Sequence, residues 1–330
     1  MKSKPETQPL LTVETLFKEN ERRLKLRLVS GEGSYGKRIV EKELHRPGLA
    51  LAGFTDLFTY SRVQICGNTE IQYLNQLSPG QRDKCLRKVF SFDIPCFIVT
   101  ENNEIPAEFL ALADEFKLSV FQTPFATTKL FQLLGDYLDE KFAPRELIHG
   151  SMVDVYGIGV LLAGRSGIGK SEVALDLVSR GHRLVADDIV TIVRRTSGVL
   201  IGMVNETLRY HMEIRGLGII DIHAIFGIRG IRKMKKVEVQ VELVDWDKSE
   251  KYERLGLEDM TIEILGEKVH LVRLPIYPGK NISMIVEVIA LNELLKVYGY
   301  NAAEAFENKL AQTISQKLRG YEHDPDYIFE

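Results

Sequence analysis

Cysteine is scarce in this chain of 330 residues, which contains only Cys66, Cys85 and Cys96. Three cysteines without a C-x-x-C pair argue against a disulfide framework and a zinc site, so we expect a reducing, cytoplasmic setting. No apolar run approaches the roughly 18 residues of a membrane span, and the N-terminus lacks the apolar core of a signal peptide. The sequence therefore predicts a soluble intracellular protein with no membrane partner.

A large excess of one charge is also missing, because 43 basic residues stand against 46 acidic ones and leave a net charge of −3. This balance gives no polyelectrolyte signal, so we expect no nucleic acid partner. The 45% apolar and 27% charged fractions are ordinary for a globular protein. At 330 residues the chain exceeds what one hydrophobic core usually serves, which favours two domains.

Short strand-like runs alternate with helical segments in the first part of the chain, an α/β pattern. Strands are predicted at residues 24–29, 49–52, 62–66, 96–99 and 119–122, and helices at 70–77, 107–115 and 125–142. Because Pro144 would stop the last helix, we place the boundary there. We thus predict an N-terminal α/β domain over residues 1–143 and a second domain, also α/β, over residues 144–330.

Residues 164–171 form a complete G-x-x-x-x-G-K-[ST] phosphate loop, the most informative motif of the chain: Gly164, Arg165, Ser166, Gly167, Ile168, Gly169, Lys170 and Ser171. Its glycines let successive backbone N–H groups point at phosphate oxygens, and the following helix adds its positive end. Lys170 would reach the β- and γ-phosphates and Ser171 would ligate Mg²⁺. An apolar run at residues 153–163 predicts one buried strand before the loop, and residues 170–180 predict a helix after it.

An acid pair follows the next apolar run, since residues 184–188 read Leu-Val-Ala-Asp-Asp and predict a strand that ends in Asp187 and Asp188. Beside bound Mg²⁺, one carboxylate can hold the ion and the next can take a proton from an attacking hydroxyl. Paired acids also act as simple caps, but their position after a phosphate loop favours the functional reading. His149 is a weaker candidate, because a lone histidine is more often structural.

Two further stretches are rich in groups suited to phosphate chemistry. Residues 212–221 combine a carboxylate, a guanidinium and two glycines, and residues 275–280 form a rigid turn that presents a lysine. Either could be an ordinary surface loop, and the basic cluster at residues 229–236 reads as a solvated strand face. The residues of the two stretches are Met212, Glu213, Ile214, Arg215, Gly216, Leu217, Gly218, Ile219, Ile220 and Asp221, and Pro275, Ile276, Tyr277, Pro278, Gly279 and Lys280.

A second glycine motif at residues 31–36 matches G-x-G-x-x-G but lacks the context of a dinucleotide site. That fingerprint needs a helix directly after the loop, whereas residues 37–42 are short and charged and lead to a turn at Pro47. We interpret it as a connection between strands. A β-rich stretch is predicted up to residue 272, and helical periodicity at residues 283–317 is interrupted at residues 298–300.

The motifs from residue 146 to residue 280 together resemble, in order and spacing, the bifunctional HPr kinase/phosphorylase family of bacteria. The resemblance implies ATP-dependent phosphorylation of a serine on the phosphocarrier HPr, and removal of that phosphate by inorganic phosphate with release of pyrophosphate. It implies Mg²⁺, with Mn²⁺ as an alternative ion, held by Ser171 and Glu213. It further implies a homohexamer and a nucleotide-binding core like that of phosphoenolpyruvate carboxykinase.

The same resemblance assigns catalytic roles. Lys170 would contact the β-phosphate, Asp188 would be the base in phosphorylation and the acid in dephosphorylation, and His149 and Arg254 would complete the catalytic set. Residues 212–221 would serve both activities and residues 275–280 dephosphorylation, in the control of sugar uptake and carbon catabolite repression. A role of Asp187 in metal binding stays open. The alternatives are a small-molecule or carboxykinase-like kinase on the same core and a nucleotide-gated module without transfer chemistry.

Overall fold

The computed structural model describes residues 11–31, 33–204, 210–246, 260–277, 279–302, 304–306 and 309–313. The chain divides into two compact units, Thr7–Ala143 and a second that contains Pro144–Glu330. Among the described residues, no helix is both long enough and apolar enough to cross a membrane.

The first unit is built on a five-stranded sheet in the order β1-β5-β4-β3-β2, in which β1 is antiparallel to β5 and the other pairs are parallel. Its strands are β1 (Arg27–Ser30), β2 (Leu44–His45), β3 (Val63–Cys66), β4 (Cys96–Val99) and β5 (Ser119–Gln122). Its helices are α1 (Val13–Leu24), α2 (Gly48–Leu51), α3 (Asn68–Gln76), α4 (Pro79–Phe90), α5 (Ala107–Glu115) and α6 (Thr127–Lys141).

Helices cover both faces of this sheet, and its central strands are therefore buried on both sides. One apolar cluster joins the sheet to α2, α3, α4 and α5, and the other joins it to α1 and α6. The α/β class predicted for this half is therefore confirmed. The G-x-G-x-x-G stretch lies mostly in a turn after β1 and no helix follows it, as interpreted above; Glu32 lies outside the described residues.

Two predictions for this unit are wrong. Residues 49–52 were expected to form a strand, but Gly48–Leu51 is the short helix α2, whose apolar face packs in the core. A run of four apolar residues cannot distinguish a buried strand from a helical turn by periodicity alone. The strand predicted from residue 24 begins only at Arg27, because Leu24 ends α1 and Lys25 adopts a left-handed φ of 50°.

The second unit contains a six-stranded sheet in the order β16-β17-β15-β8-β7-β9, a four-stranded sheet in the order β14-β11-β10-β6 and the hairpin β12-β13. The strands are β6 (Arg145–His149), β7 (Ser151–Val155), β8 (Ile158–Gly164), β9 (Arg183–Ala186), β10 (Ile189–Arg194), β11 (Leu200–Val204), β12 (His211–Ile214), β13 (Gly218–Asp221), β14 (Met234–Lys236), β15 (Val239–Asp245), β16 (Thr261–Ile264) and β17 (Glu267–Ile276). The helices are α7 (Lys170–Ser179), α8 (Ile222–Phe226) and α9 (Ile282–Val297).

The prediction of a single strand at residues 153–163 is wrong, because these residues belong to a hairpin of two strands. β7 and β8 pair in antiparallel fashion around Tyr156 and Gly157, whose φ angles are 52° and 86°. A two-residue loop with both φ values positive matches the twist of its flanking strands, and glycine favours it.

The predicted break at residues 298–300 is confirmed, because α9 ends at Val297 and helical residues recur between Ala302 and Thr313. Residues 314–317 of that prediction lie outside the described chain.

The strand directions in the six-stranded sheet bring the carboxyl ends of several strands to one edge. β15 is parallel to both β8 and β17, and β9 is parallel to β8 because both are antiparallel to β7. The carboxyl ends of β8, β9, β15 and β17 therefore meet at the same edge. This is the edge at which ligands bind in parallel sheets.

Candidate active site

The phosphate loop leaves the carboxyl end of β8 at Gly164 and enters α7 at Lys170. Gly167 and Gly169 have φ angles of 76° and 104°, which residues other than glycine rarely adopt. A Cβ on Gly164 would lie 2.6 Å from Leu243 O on the neighbouring strand. The loop therefore needs glycine at these positions for backbone reasons, and it has the strand–loop–helix context that the motif requires.

Lys170 and Ser171 occupy the first turn of α7, where unpaired backbone N–H groups favour an anion. Lys170 Nζ donates to the carbonyl oxygens of Gly164 and Arg165 at 3.1 and 3.0 Å. The Lys170 side chain thus reaches back across the loop to its first two residues. A phosphate in the loop would face both this charge and the helix N-terminus.

Asp187 lies directly after β9 and is 6% exposed. Its Oδ1 accepts hydrogen bonds from Ser171 Oγ at 3.0 Å and from Ser151 Oγ. Burial raises the pKa of the Asp187 carboxyl above its ordinary value, although both serine hydroxyls act in the opposite direction. Asp187 is therefore a buried carboxylate that is hydrogen bonded to the phosphate loop through Ser171.

Asp188 differs from its neighbour in exposure and in backbone conformation. Its side chain is 70% exposed and Oδ1 lies 3.9 Å from Nδ1 of His149, whose side chain is 78% exposed. Asp188 has a φ of 64°, and Ile189 N donates to Asp187 O across it at 2.8 Å, so the chain turns sharply here. A positive φ is uncommon outside glycine, but aspartate adopts it more readily than most residues, which suits Asp188 to this turn.

The corner between β6 and β7 contacts both residues of the acid pair, Asp188 through its backbone carbonyl and Asp187 through its carboxylate. Gly150 N donates to Asp188 O at 3.0 Å, and the fully buried Ser151 donates to Asp187. A side chain at Gly150 would place its Cβ 2.5 Å from Leu162 O, so glycine is required there. Three consecutive residues, from His149 to Ser151, thus contact the acid pair, and sequence reasoning found only the first.

Asp245 is a further residue that sequence reasoning missed. It ends β15, and its two carboxylate oxygens accept from Arg165 Nε and Nη2 at 2.6 and 2.8 Å. The hydrogen bond from Arg165 lowers the pKa of Asp245 below its ordinary value. The available signal was an acid at the end of a predicted strand, because residues 239–243 alternate apolar and polar side chains and Asp245 lies two residues further.

The hairpin β12-β13 reaches the phosphate loop through Arg215 in its turn. A Cβ on Gly167 would lie 2.7 Å from Nη1 and Nη2 of Arg215, so the guanidinium rests against the loop. Met212 is buried in the core cluster that also contains side chains of α7. Glu213 lies on the exposed side of β12, and among the described residues the Ser171 hydroxyl is hydrogen bonded to Asp187 rather than to Glu213.

The other residues of 212–221 pack against the core, face solvent, form the turn of the hairpin or cap a helix. Ile214 and Ile220 pack against the core, whereas Leu217 and Ile219 are exposed. Gly216 and Gly218 take positive φ angles of 84° and 93° in the turn. The Asp221 carboxylate caps α8 by accepting from Ala224 N at 3.0 Å.

Residues 275–280 begin with the last two residues of β17, beside the end of β15, where Asp245 pairs with Ile276. Lys280 Nζ donates to Pro275 O at 3.1 Å and lies 5.1 Å from the centroid of the Tyr277 ring. Burial lowers the pKa of Lys280, and Gly279 has a φ of 86°. Arg254 and Pro278, both predicted at this site, lie outside the described residues.

The donor atoms near the loop fit a magnesium ion. Ser171 Oγ and Asp187 Oδ1 are hard oxygen donors that already lie 3.0 Å apart. Within the described ranges, no group of three or more His, Cys, Asp or Glu side chains could enclose an ion. Mg²⁺ does not need such a cage, because it keeps several waters and is usually bound by one or two protein groups plus substrate phosphates.

The chain matches two domain families, the HPr Serine kinase N terminus over residues 11–138 and the HPr Serine kinase C-terminal domain over residues 140–310. It is 49% identical to the HPr kinase/phosphorylase of Chloroherpeton thalassium over 96% of this chain and 94% of that one, and 53% identical to that of Prosthecochloris aestuarii over 89% and 87%. A solved HPr(Ser) kinase/phosphatase from Coxiella burnetii aligns with 32% identity and a TM-score of 0.44, covering 48% of this chain and 97% of that one.

These matches span both units and reach about half identity over nearly the full length of the relatives. The family resemblance read from the motifs at residues 146–280 is thereby confirmed. The chain belongs to the HPr serine kinase family.

Proposed function

We propose that this protein transfers the γ-phosphoryl group of ATP to a regulatory serine of the phosphocarrier HPr. We further propose that it removes the phosphate from phosphoserine-HPr with inorganic phosphate and forms pyrophosphate. The observation that carries the proposal is the phosphate loop, whose Ser171 is hydrogen bonded to Asp187 at the end of β9, in a chain of this family. The relatives named HPr kinase/phosphorylase support both directions.

In the forward direction the loop and Lys170 would hold the ATP phosphates, and Asp188 would accept the proton of the attacking serine hydroxyl. Its exposure supports this role, because the incoming serine belongs to another protein. His149, 3.9 Å from Asp188, would orient the carboxylate. Mg²⁺ at Ser171 and Asp187, with Glu213 as a further ligand, would neutralise charge on the phosphates.

In the reverse direction inorganic phosphate would occupy the place of the β-phosphate and attack the phosphorus of phosphoserine. The bond between that phosphorus and the serine oxygen breaks, and protonated Asp188 returns its proton to the leaving oxygen. Pyrophosphate is the second product. Lys280 would contribute to this direction by presenting its ammonium group at the same edge of the sheet.

We also propose Mn²⁺ as an alternative ion and Arg254 as a further catalytic residue. Under the proposal the protein assembles as a homohexamer and acts in the cytoplasm, in the control of sugar uptake and carbon catabolite repression. The three cysteines are free thiols, which supports a reducing compartment. The catalytic unit would be residues 144–330.

Purified protein with Mg²⁺, γ-labelled ATP and HPr tests the proposal directly. Label should appear on HPr and should be absent from an HPr variant whose target serine is alanine. Phosphoserine-HPr with inorganic phosphate should yield pyrophosphate and dephosphorylated HPr. If HPr stays unlabelled while a small-molecule acceptor is phosphorylated, the alternative of a small-molecule kinase replaces the proposal.

A further inference from the structure

The carboxyl edge of the six-stranded sheet carries two exposed aromatic side chains. Trp246, the one tryptophan of the chain, directly follows β15, and Tyr277 directly follows β17. The centroids of the two rings lie 5.3 Å apart at an interplanar angle of 62°, and the residues are 46% and 43% exposed. The two rings thus form one continuous apolar surface at the edge where the phosphate loop begins.

Strand pairing fixes this aromatic pair beside the phosphate loop. The last residue pair of β15 and β17 stands immediately before the two rings. On its other side β15 pairs with β8, where Leu243 lies opposite Gly164, the first residue of the loop. Trp246 is three residues beyond Leu243, which is about 10 Å along an extended chain. The ribose and α-phosphate of a nucleotide can bridge a span of this size between its base and its outer phosphates.

The phosphate loop also contacts the residue that precedes the tryptophan. Arg165 of the loop donates through Nε and Nη2 to the two carboxylate oxygens of Asp245 at 2.6 and 2.8 Å. Such a two-point contact restricts the relative orientation of the two groups. The loop and the aromatic pair are therefore connected by side chains as well as by the sheet, and a ligand held by the loop has the rings within its reach.

The charged groups next to the aromatic pair already have partners of opposite sign. Asp245 accepts from Arg165, and further back on the same two strands Glu242 accepts from Arg273 Nε at 3.0 Å. The rings themselves offer flat faces and no charge. A flat, uncharged ring fits such a surface better than a second anion, because aromatic rings stack on one another in offset or edge-to-face contacts. The base of a nucleotide is a ring of this kind.

We propose that Trp246 and Tyr277 form the surface on which the base of the nucleotide stacks while its phosphates occupy the loop. The inference rests on the proposed function for the use of ATP, and it adds the residues that bind the base. Tyr277 holds the tryptophan ring by an edge contact, and Lys280 Nζ lies 5.1 Å from the centroid of the tyrosine ring. Loss of the tryptophan should therefore weaken ligands that contain a base and spare polyphosphates that lack one.

Calorimetric titration of the full chain with Mg²⁺ tests the proposal by comparing a non-hydrolysable ATP analogue with tripolyphosphate, which has the phosphates but no base. In Trp246→Leu, affinity for the analogue should fall about five- to a hundredfold, the range for one base stacked on an aromatic side chain. Tripolyphosphate should bind this variant as it binds the parent. Trp246→Phe keeps a ring and should retain most of the affinity for the analogue.

Tyr298→Leu is the matched control, because this tyrosine is 80% exposed and lies at the end of α9 remote from residues 275–280. It should bind both ligands like the parent. Equal loss of both ligands in Trp246→Leu, or parental affinity for the analogue, would overturn the proposal. A loss confined to HPr binding would also overturn it, by assigning the rings to the protein substrate. A parent that binds the analogue but transfers no label to HPr contradicts the proposed kinase activity and not the stacking surface.

Discussion

Asp187 and Asp188 are adjacent in the chain, yet the first is 6% exposed and the side chain of the second is 70% exposed. Asp187 belongs to an inner region with Ser151 and Ser171, connected by hydrogen bonds. Asp188 belongs to an outer region with His149, where a macromolecule can approach. Under the proposed function, the buried carboxylate would organise the loop and its ion, and the exposed one would be available for proton transfer.

Loss of the outer carboxylate should have the largest effect. Asp188→Asn keeps the side-chain shape and removes the proton acceptor, so HPr phosphorylation and phosphoserine phosphorolysis should both fall by about 10²–10⁴-fold. ATP affinity should stay within a few-fold of the parent, as measured by equilibrium titration. Circular dichroism and sedimentation establish that the variant is folded and assembled. A folded variant with parental HPr phosphorylation would remove Asp188 as the base and make Asp187 the next residue to test.

Loss of the loop ammonium should affect binding rather than proton transfer. Lys170→Ala removes a charge-assisted contact to phosphate, so affinity for ATP and for pyrophosphate should each fall roughly ten- to a hundredfold. Equilibrium titration with each ligand measures this, with Lys268→Ala as the control on a remote strand. Unchanged ATP affinity in Lys170→Ala would refute the loop assignment, and a loss for only one ligand would contradict a single shared site.

Ser151 sharpens the comparison, because it touches only the inner carboxylate. Ser151→Ala deletes the hydroxyl that holds Asp187 Oδ1, while Ser171 still donates to it. We expect affinity for Mg²⁺-nucleotide to weaken by roughly three- to tenfold, within the range for one hydrogen bond to a charged group, while kcat changes less. Ser179→Ala is the matched control at the far end of α7. Equal loss in both variants would show that Ser151 has no specific role.

The smallest expected effect is on stability. Because burial raises the pKa of Asp187, the folded protein binds that proton more tightly than the unfolded chain, and the ionised carboxylate destabilises the metal-free fold. Asp187→Asn should therefore raise the unfolding midpoint at neutral pH. The gain should vanish well below the ordinary aspartate pKa of about 3.9 and grow as pH rises through the window between that value and the raised one. Denaturation with a chelator present, at several pH values, measures it; a lower midpoint at neutral pH would contradict the account.

Local motifs made much of the site predictable. The phosphate loop and acid pair are short patterns whose residues need particular backbone positions, and residues 164–171 and 187–188 meet at one sheet edge. Ser151 and Asp245 escaped detection because their roles depend on pairing between distant strands. The run at residues 153–163 hid a hairpin, since the chain is mostly apolar on both sides of the two-residue turn at Tyr156 and Gly157.

The most direct test of the division between the two carboxylates is the affinity of Mn²⁺-nucleotide, measured by electron paramagnetic resonance in Asp187→Asn and Asp188→Asn. Neither HPr nor turnover is needed, so the readout isolates the inner region. The account predicts at least about tenfold weaker binding in Asp187→Asn, the scale of one lost charged contact, and binding within a few-fold of the parent in Asp188→Asn. Weaker binding in Asp188→Asn with parental affinity in Asp187→Asn would contradict it.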